Sequence, residues 1–132
     1  KQEIVTLSWW DAYWTAGSGS TEDSVIQLAG AINLSSENGV QSNATIDKEL
    51  LILMNPEIIL ITQSALWGGE DFYNELLKDD SLSSIDAIKN NNVYMVNSSW
   101  WSTLSYWNIK GVEELAKILY EIDVIEGFVV FE

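Results

Sequence analysis

Residues 3–23 read EIVTLSWWDAYWTAGSGSTED, and the fold turns on how they are parsed. The first residues, with Ile4, Val5 and Leu7, have the apolar composition of a strand. Trp9, Trp10, Tyr13 and Trp14 follow as an aromatic loop, and Gly17-Ser18-Gly19-Ser20 as a turn. Ser20 or Thr21 is then the N-cap of a helix whose first turn holds Glu22 and Asp23, acidic residues that complement a helix N-terminus. The unit is strand, loop, turn, helix. In an α/β sheet the loop after a strand lies at its carboxyl end, where such folds bind ligands. A cluster of indoles there is either a binding surface or a lid over the core.

The chain downstream continues the alternation. Val25, Ile26, Leu28 and Ala29 give the first helix an apolar face, ended by Gly30, and 31–34 is a brief strand. Residues 35–44, rich in Ser and Asn, read as a surface loop. Asp47 caps a second helix through Met54, with Ile46, Leu50, Leu53 and Met54 on one stripe, and Asn55-Pro56 ends it. Residues 57–62, EIILIT, are apolar without alternation, which suits a parallel strand covered on both faces. Its exit loop, QSALWGG, carries Trp67. A helix over 70–78 turns Phe72, Leu76 and Leu77 inward, and a short helix over 81–89 uses Leu82, Ile85 and Ile88. Residues 93–96 form the next strand, with Trp100 and Trp101 in its exit loop, 97–103. A long helix over 106–120 buries Val112, Leu115, Ala116 and Leu119. The tail, 121–132, ends in GFVVF and is an edge strand or a segment that docks elsewhere.

This pattern predicts one α/β domain over residues 1–132: a three-layer αβα, Rossmann-like lobe with a mainly parallel sheet of about four or five strands and right-handed crossovers. At 132 residues the chain is long enough to bury a single core. It opens almost directly in a strand, so a fragment of a larger protein is expected.

Composition excludes more than it selects. Six Lys stand against twenty acidic residues, a net charge of −14, which repels phosphate backbones and anionic headgroups. The chain has no Cys, His or Arg. It therefore lacks disulfides, thiolate chemistry, the usual general base, the common zinc ligand and the bidentate clamp for carboxylate or phosphate. Binding becomes the leading class. Gly17–Ser20 has neither a P-loop Lys nor GxGxxG spacing, so a tight turn with a cap explains it. The neighbouring carboxylates Glu70-Asp71, Asp79-Asp80 and Glu113-Glu114 diverge, no D-x-D-x-D loop occurs, and no S-x-x-K motif is present. A solvated face accounts for these acids better than a metal site or a glycosidase pair.

Seven Trp residues are the opposite anomaly. Each of the strands 3–8, 57–62 and 93–96 is followed by a segment bearing Trp, and parallel strands deliver all three segments to one edge of the sheet. Trp9, Trp10, Trp14, Trp67, Trp100 and Trp101 would then line a common rim, and a large apolar patch of that kind marks a contact surface. Neighbours in extended chain face opposite ways, so at most one of Trp9/Trp10 and one of Trp100/Trp101 should face a ligand, with the others in the core.

Four stretches, 14–33 (WTAGSGSTEDSVIQLAGAIN), 46–61 (IDKELLILMNPEIILI), 83–96 (SSIDAIKNNNVYMV) and 107–120 (WNIKGVEELAKILY), resemble the C-terminal lobe of the helical-backbone periplasmic binding proteins. The helix–Asn-Pro–strand segment is the most specific of them. That family comprises the substrate receptors of ATP-binding-cassette importers for iron–siderophore complexes, haem and cobalamin. The resemblance implies two α/β lobes joined by a long helix, a ligand held between them, and no catalysis. It assigns ligand contact to Trp10, Tyr13, Trp14, Trp67, Trp100 and Trp101. It also implies docking on the permease through an exposed acidic residue, for which Glu70 and Glu75 are the candidates. No resident cofactor is expected; the metal arrives within the ligand, a ferric siderophore, haem or cobalamin. The implied partners are the N-terminal lobe, the permease and the chelate, with no nucleic acid. The implied location is extracytoplasmic, in the periplasm or at the outer face of the membrane, with a lipid anchor as one means of attachment. The absence of Arg departs from members that bind anionic siderophores, and the absence of His from those that bind bare zinc or manganese. A carbohydrate-binding module that stacks sugars on exposed Trp is the alternative. An enzyme or chelatase on a related fold, and a scaffold whose rim is an interface, are further rivals.

Overall fold

Side chains alternate across a strand, and two apolar runs of this chain use both sides. Val5, Leu7, Ile59 and Ile61 enter one buried cluster, and Ile4, Ile58 and Leu60 the other. The sheet that these runs build is therefore covered on both faces. The computed structural model describes residues 2–96 and 107–125. In chain order the elements are β1 (Glu3–Trp9), β2 (Tyr13–Ala16), α1 (Thr21–Leu28), β3 (Ile32–Asn33), α2 (Leu34–Glu37), β4 (Asn43–Ile46), α3 (Lys48–Met54), β5 (Ile58–Ile61), α4 (Gly69–Lys78), α5 (Asp86–Lys89), β6 (Val93–Met95) and α6 (Trp107–Ile125). Turns of 3-10 helix lie at Ala65–Trp67 and Asp80–Leu82.

The layers follow the two clusters. Leu51 and Met54 of α3, Phe72 and Leu76 of α4, and Ala87 of α5 pack on one face. Val25 and Ile26 of α1 and Leu115 of α6 pack on the other. The αβα expectation holds, but the sheet is mixed and has six strands, in the order β4-β2-β1-β5-β6 with β3 also on β1. β1, β5 and β6 run parallel in register, Ile4↔Ile58 through Leu7↔Ile61 and Ile59↔Val93 through Ile61↔Met95. Their carboxyl ends therefore share one edge.

The largest difference from the expected fold is at Tyr13–Ala16. These residues are a strand, not a loop: β1 turns back on itself with the pairs Ser8↔Trp14 and Trp9↔Tyr13. Asp11 takes a left-handed φ of 61°, which Asp tolerates better than most residues, and so closes the hairpin. On the same side of β1, its first residues pair with β3, Glu3↔Ile32 and Ile4↔Asn33. The fork between β2 and β3 is held by polar side chains. Thr6 Oγ1 accepts from the Ala16 N–H at 3.0 Å, and Asn33 Nδ2 donates to Ala16 O at 2.9 Å and to Asp23 Oδ1 at 3.0 Å.

Other expectations shift by local geometry. Residues 35–44 are not one loop: α2 takes its start and β4 its end, and β4 adds to β2 through Tyr13↔Ile46 to Ala16↔Asn43. Ile46 thus belongs to a strand. In α3, five apolar residues run together, so periodicity alone leaves the inner face open; Leu51 and Met54 take it and Leu53 faces out. Leu28 likewise turns away from Val25 and Ile26 and is exposed. The segment 81–89 is split by Ser83–Ile85, with Leu82 and Ile85 both buried. In α6, Gly111 and Leu115 are buried while Ala116 is exposed, and the helix continues to Ile125. Trp100, Trp101 and the end of the tail, 126–132, lie outside the described residues.

The cap assignments hold. Ser20 Oγ accepts from the Asp23 N–H at 3.1 Å, Asp47 Oδ1 from the Leu50 N–H at 2.8 Å, and Asn55 ends α3 in the left-handed region at φ 47°.

Candidate functional site

The hairpin sorts the aromatics onto two faces. Ser8 and Trp14 are cross-strand partners, and Trp10 sits with them on one side; Trp9 and Tyr13 are partners on the other. Two grooves result at the carboxyl edge of the sheet. The first, of about 340 Å³, is walled by Trp10, Trp14 and Trp67, with Glu22, Asn43 and Thr62 among its polar lining. Trp67 is 68% exposed and Trp10 53%. The second, of about 240 Å³, is lined by Trp9, Tyr13, Phe72, Lys48, Glu75 and Asp79. There Trp9 meets Tyr13 edge-on at 5.3 Å and stacks on Phe72 at 6.2 Å. Trp9 remains 43% exposed, so it is not the core residue that the alternation argument assigned.

Gln63 fastens this edge. It is buried two residues after β5, and its side chain makes three hydrogen bonds. Oε1 accepts from the Trp9 N–H at 2.7 Å, while Nε2 donates to Trp9 O at 3.1 Å and to Trp67 O at 2.5 Å. The amide thus continues the β1–β5 ladder past the last residue of β5 and fixes the turn that carries Trp67. Gly68, at φ 89°, reverses the chain after Trp67. A Cβ on Gly69 would run into the carbonyl oxygens of Gln63 and Ser64, so the start of α4 sits directly against this turn.

The electrostatics differ between the grooves. In the second, Lys48 Nζ lies 2.7 Å from Asp79 Oδ2. Hydrogen bonds from Lys48 and Ser81 hold the Asp79 carboxyl down at about 2. In the first, burial raises the Glu22 pKa, the reverse of the ordinary effect of a helix N-terminus on a carboxylate. The folded state therefore disfavours ionised Glu22: this group's contribution to stability is greatest below the ordinary carboxylate range and falls as pH rises through the raised pKa. Beside it lies the Trp14 indole, whose buried Nε1 has no protein acceptor. A polar recess of about 30 Å³ is lined by Trp14, Glu22, Thr6, Ser8 and Thr62. The first groove thus offers aromatic walls, several neutral polar side chains and one carboxylate. Among the described residues, no group of three or more His, Cys, Asp or Glu side chains gathers to hold a metal ion.

Of the residues singled out in the sequence, Trp10, Trp14 and Trp67 share the first groove and Tyr13 lines the second. Glu70 and Glu75 are exposed on α4, with Glu75 at the rim of the second groove. Glu22 and Gln63 were missed. Glu22 already had a sufficient explanation as a helix-start acid, and only tertiary packing buries it. Gln63 carried one usable signal: a polar residue immediately following an unbroken apolar strand.

A family profile described as periplasmic binding protein matches residues 2–99. The chain belongs to that family. Among solved structures, the periplasmic haem-binding protein RhuT from Roseiflexus sp. RS-1, in its apo form, is 19% identical with a TM-score of 0.79, over 91% of this chain and 46% of its own. An ABC transporter substrate-binding protein from Listeria monocytogenes EGD-e is 25% identical with a TM-score of 0.77, over 91% and 48%. The periplasmic vitamin B12-binding protein BtuF of Vibrio cholerae is 17% identical with a TM-score of 0.72, over 91% and 44%. This periplasmic binding protein chain thus spans less than half the length of each of these solved relatives. No curated sequence matches it. The family and these neighbours are substrate-binding transport proteins, and family membership implies an extracytoplasmic location.

Proposed function

We propose that this chain is the C-terminal lobe of the substrate-binding component of an ATP-binding-cassette importer. Its first groove holds one side of a metal chelate, a ferric siderophore, haem or cobalamin, while an N-terminal lobe holds the other. The observation that carries this reading is the convergence of Trp10, Trp14 and Trp67 at the edge where β1 and β5 end. Indoles give large rigid contact area at little entropic cost, which suits a flat or compact chelate. No bond is made or broken: the lobes close on the ligand, and Glu70 and Glu75 present negative charge to the permease. The metal belongs to the cargo. The family match favours this reading over sugar stacking.

The test is tryptophan fluorescence of the two-lobed protein that carries this chain, titrated with haem, cobalamin and a ferric trihydroxamate. Saturable quenching at one ligand per protein by one of them is the expected result. Unchanged emission with all three would overturn the ligand assignment. The lobe alone, with half a site, is expected to bind far more weakly.

A further inference from the structure

The first groove carries charge of one sign. Nine residues line it, and Glu22 alone among them is ionisable. The ion pairs among the described residues join Lys48 to Asp79, Lys89 to Asp86 and Lys110 to Glu113, so Glu22 has no countercharge in any of them. A partly buried carboxylate without a cation is a standing cost that an occupant can offset. The walls point the same way, because a cation over the face of Trp is attracted by the ring quadrupole. An anionic ligand would instead meet Glu22 at short range and a chain of net charge −14 at long range.

We propose that this groove selects a chelate bearing a positively charged group, such as a primary ammonium, placed among the indoles of Trp10, Trp14 and Trp67 and against the Glu22 carboxylate. The inference rests on the chelate-capture reading above and narrows it. It ranks cationic hydroxamate complexes ahead of haem, whose propionates carry the wrong charge.

Two probes share the chelate and differ at its pendant group: ferric desferrioxamine B, with its ammonium, and its N-acetyl derivative, in which that nitrogen is a neutral amide. Titrated into the two-lobed protein, the ammonium form is expected to bind about 10-fold more tightly. Glu22→Gln should weaken the ammonium form by about that factor and the acetylated form by less. This variant keeps the side chain's shape and removes a charge that the fold disfavours, so it is expected to melt no lower than the parent at pH 7. Equal binding of the two probes by the parent would overturn the charge selection while leaving chelate capture standing. A preference that survives Glu22→Gln would overturn the assignment to Glu22. Failure of both probes to quench would remove hydroxamate capture and this inference with it.

Discussion

Replacing Gln63 by leucine is expected to lower the free energy of unfolding by about 3 kcal/mol, as read from urea denaturation. The substitution keeps the apolar contacts of the side chain and deletes all three of its hydrogen bonds, to Trp9 N, Trp9 O and Trp67 O. Leaving a buried polar group unpaired costs ~1–3 kcal/mol, and these groups are part-buried, so each contributes near the low end. Gln63→Glu should fall between parent and leucine, because a carboxylate can still accept from Trp9 N–H but cannot donate to either carbonyl. A loss below ~1 kcal/mol for the leucine variant would show that the edge is held by something other than this amide.

Trp67→Ala is expected to do the opposite: little to stability and much to binding. The side chain is 68% exposed at the end of a 3-10 turn, so its removal should change the free energy of unfolding by less than ~0.5 kcal/mol. If it is a wall of the ligand site, affinity should fall by about 30-fold, the scale of a Trp hot spot at the centre of an interface. Trp9→Ala is the control. It is also partly exposed and lies two residues from the hairpin turn, but it faces the second groove against Tyr13 and Phe72. Its loss should leave affinity within about 3-fold while costing stability through the stacked pair. Isothermal titration of both variants with the same chelate gives the comparison.

Much of this fold was legible residue by residue. The unbroken apolar run at Ile58–Ile61 reads as a doubly covered strand, and all four residues are fully buried. Ser20, Asp47 and Asn55-Pro56 marked helix boundaries through local chemistry that tertiary context did not override. What could not be read was pairing. Tyr13–Ala16 becomes a strand because Trp14 and Tyr13 find partners in both β1 and β4, thirty residues apart in one direction and adjacent in the other. No local pattern in four residues carries that information. Leu28 and Leu53 show the same limit for helices, where a dense apolar run offers several faces and only packing chooses one.

The site was legible in kind rather than in arrangement. Alternation in the hairpin, once known, separates Trp10 and Trp14 from Trp9 and Tyr13, and that division decides which indoles stand with Trp67. Glu22 acquires its significance only from burial beside Trp14, a consequence of how α1 packs beneath the hairpin.

If the chelate is held as proposed, the indoles of Trp10, Trp14 and Trp67 face it together. The most direct measurement is the set of indole Nε1–H resonances in a proton–nitrogen correlation spectrum of the two-lobed protein, recorded before and after adding gallium(III) desferrioxamine B, a diamagnetic stand-in for the iron complex. Large shifts at Trp10, Trp14 and Trp67, with Trp9 nearly still, are the predicted result. Movement at Trp9 while those three stay in place would contradict it.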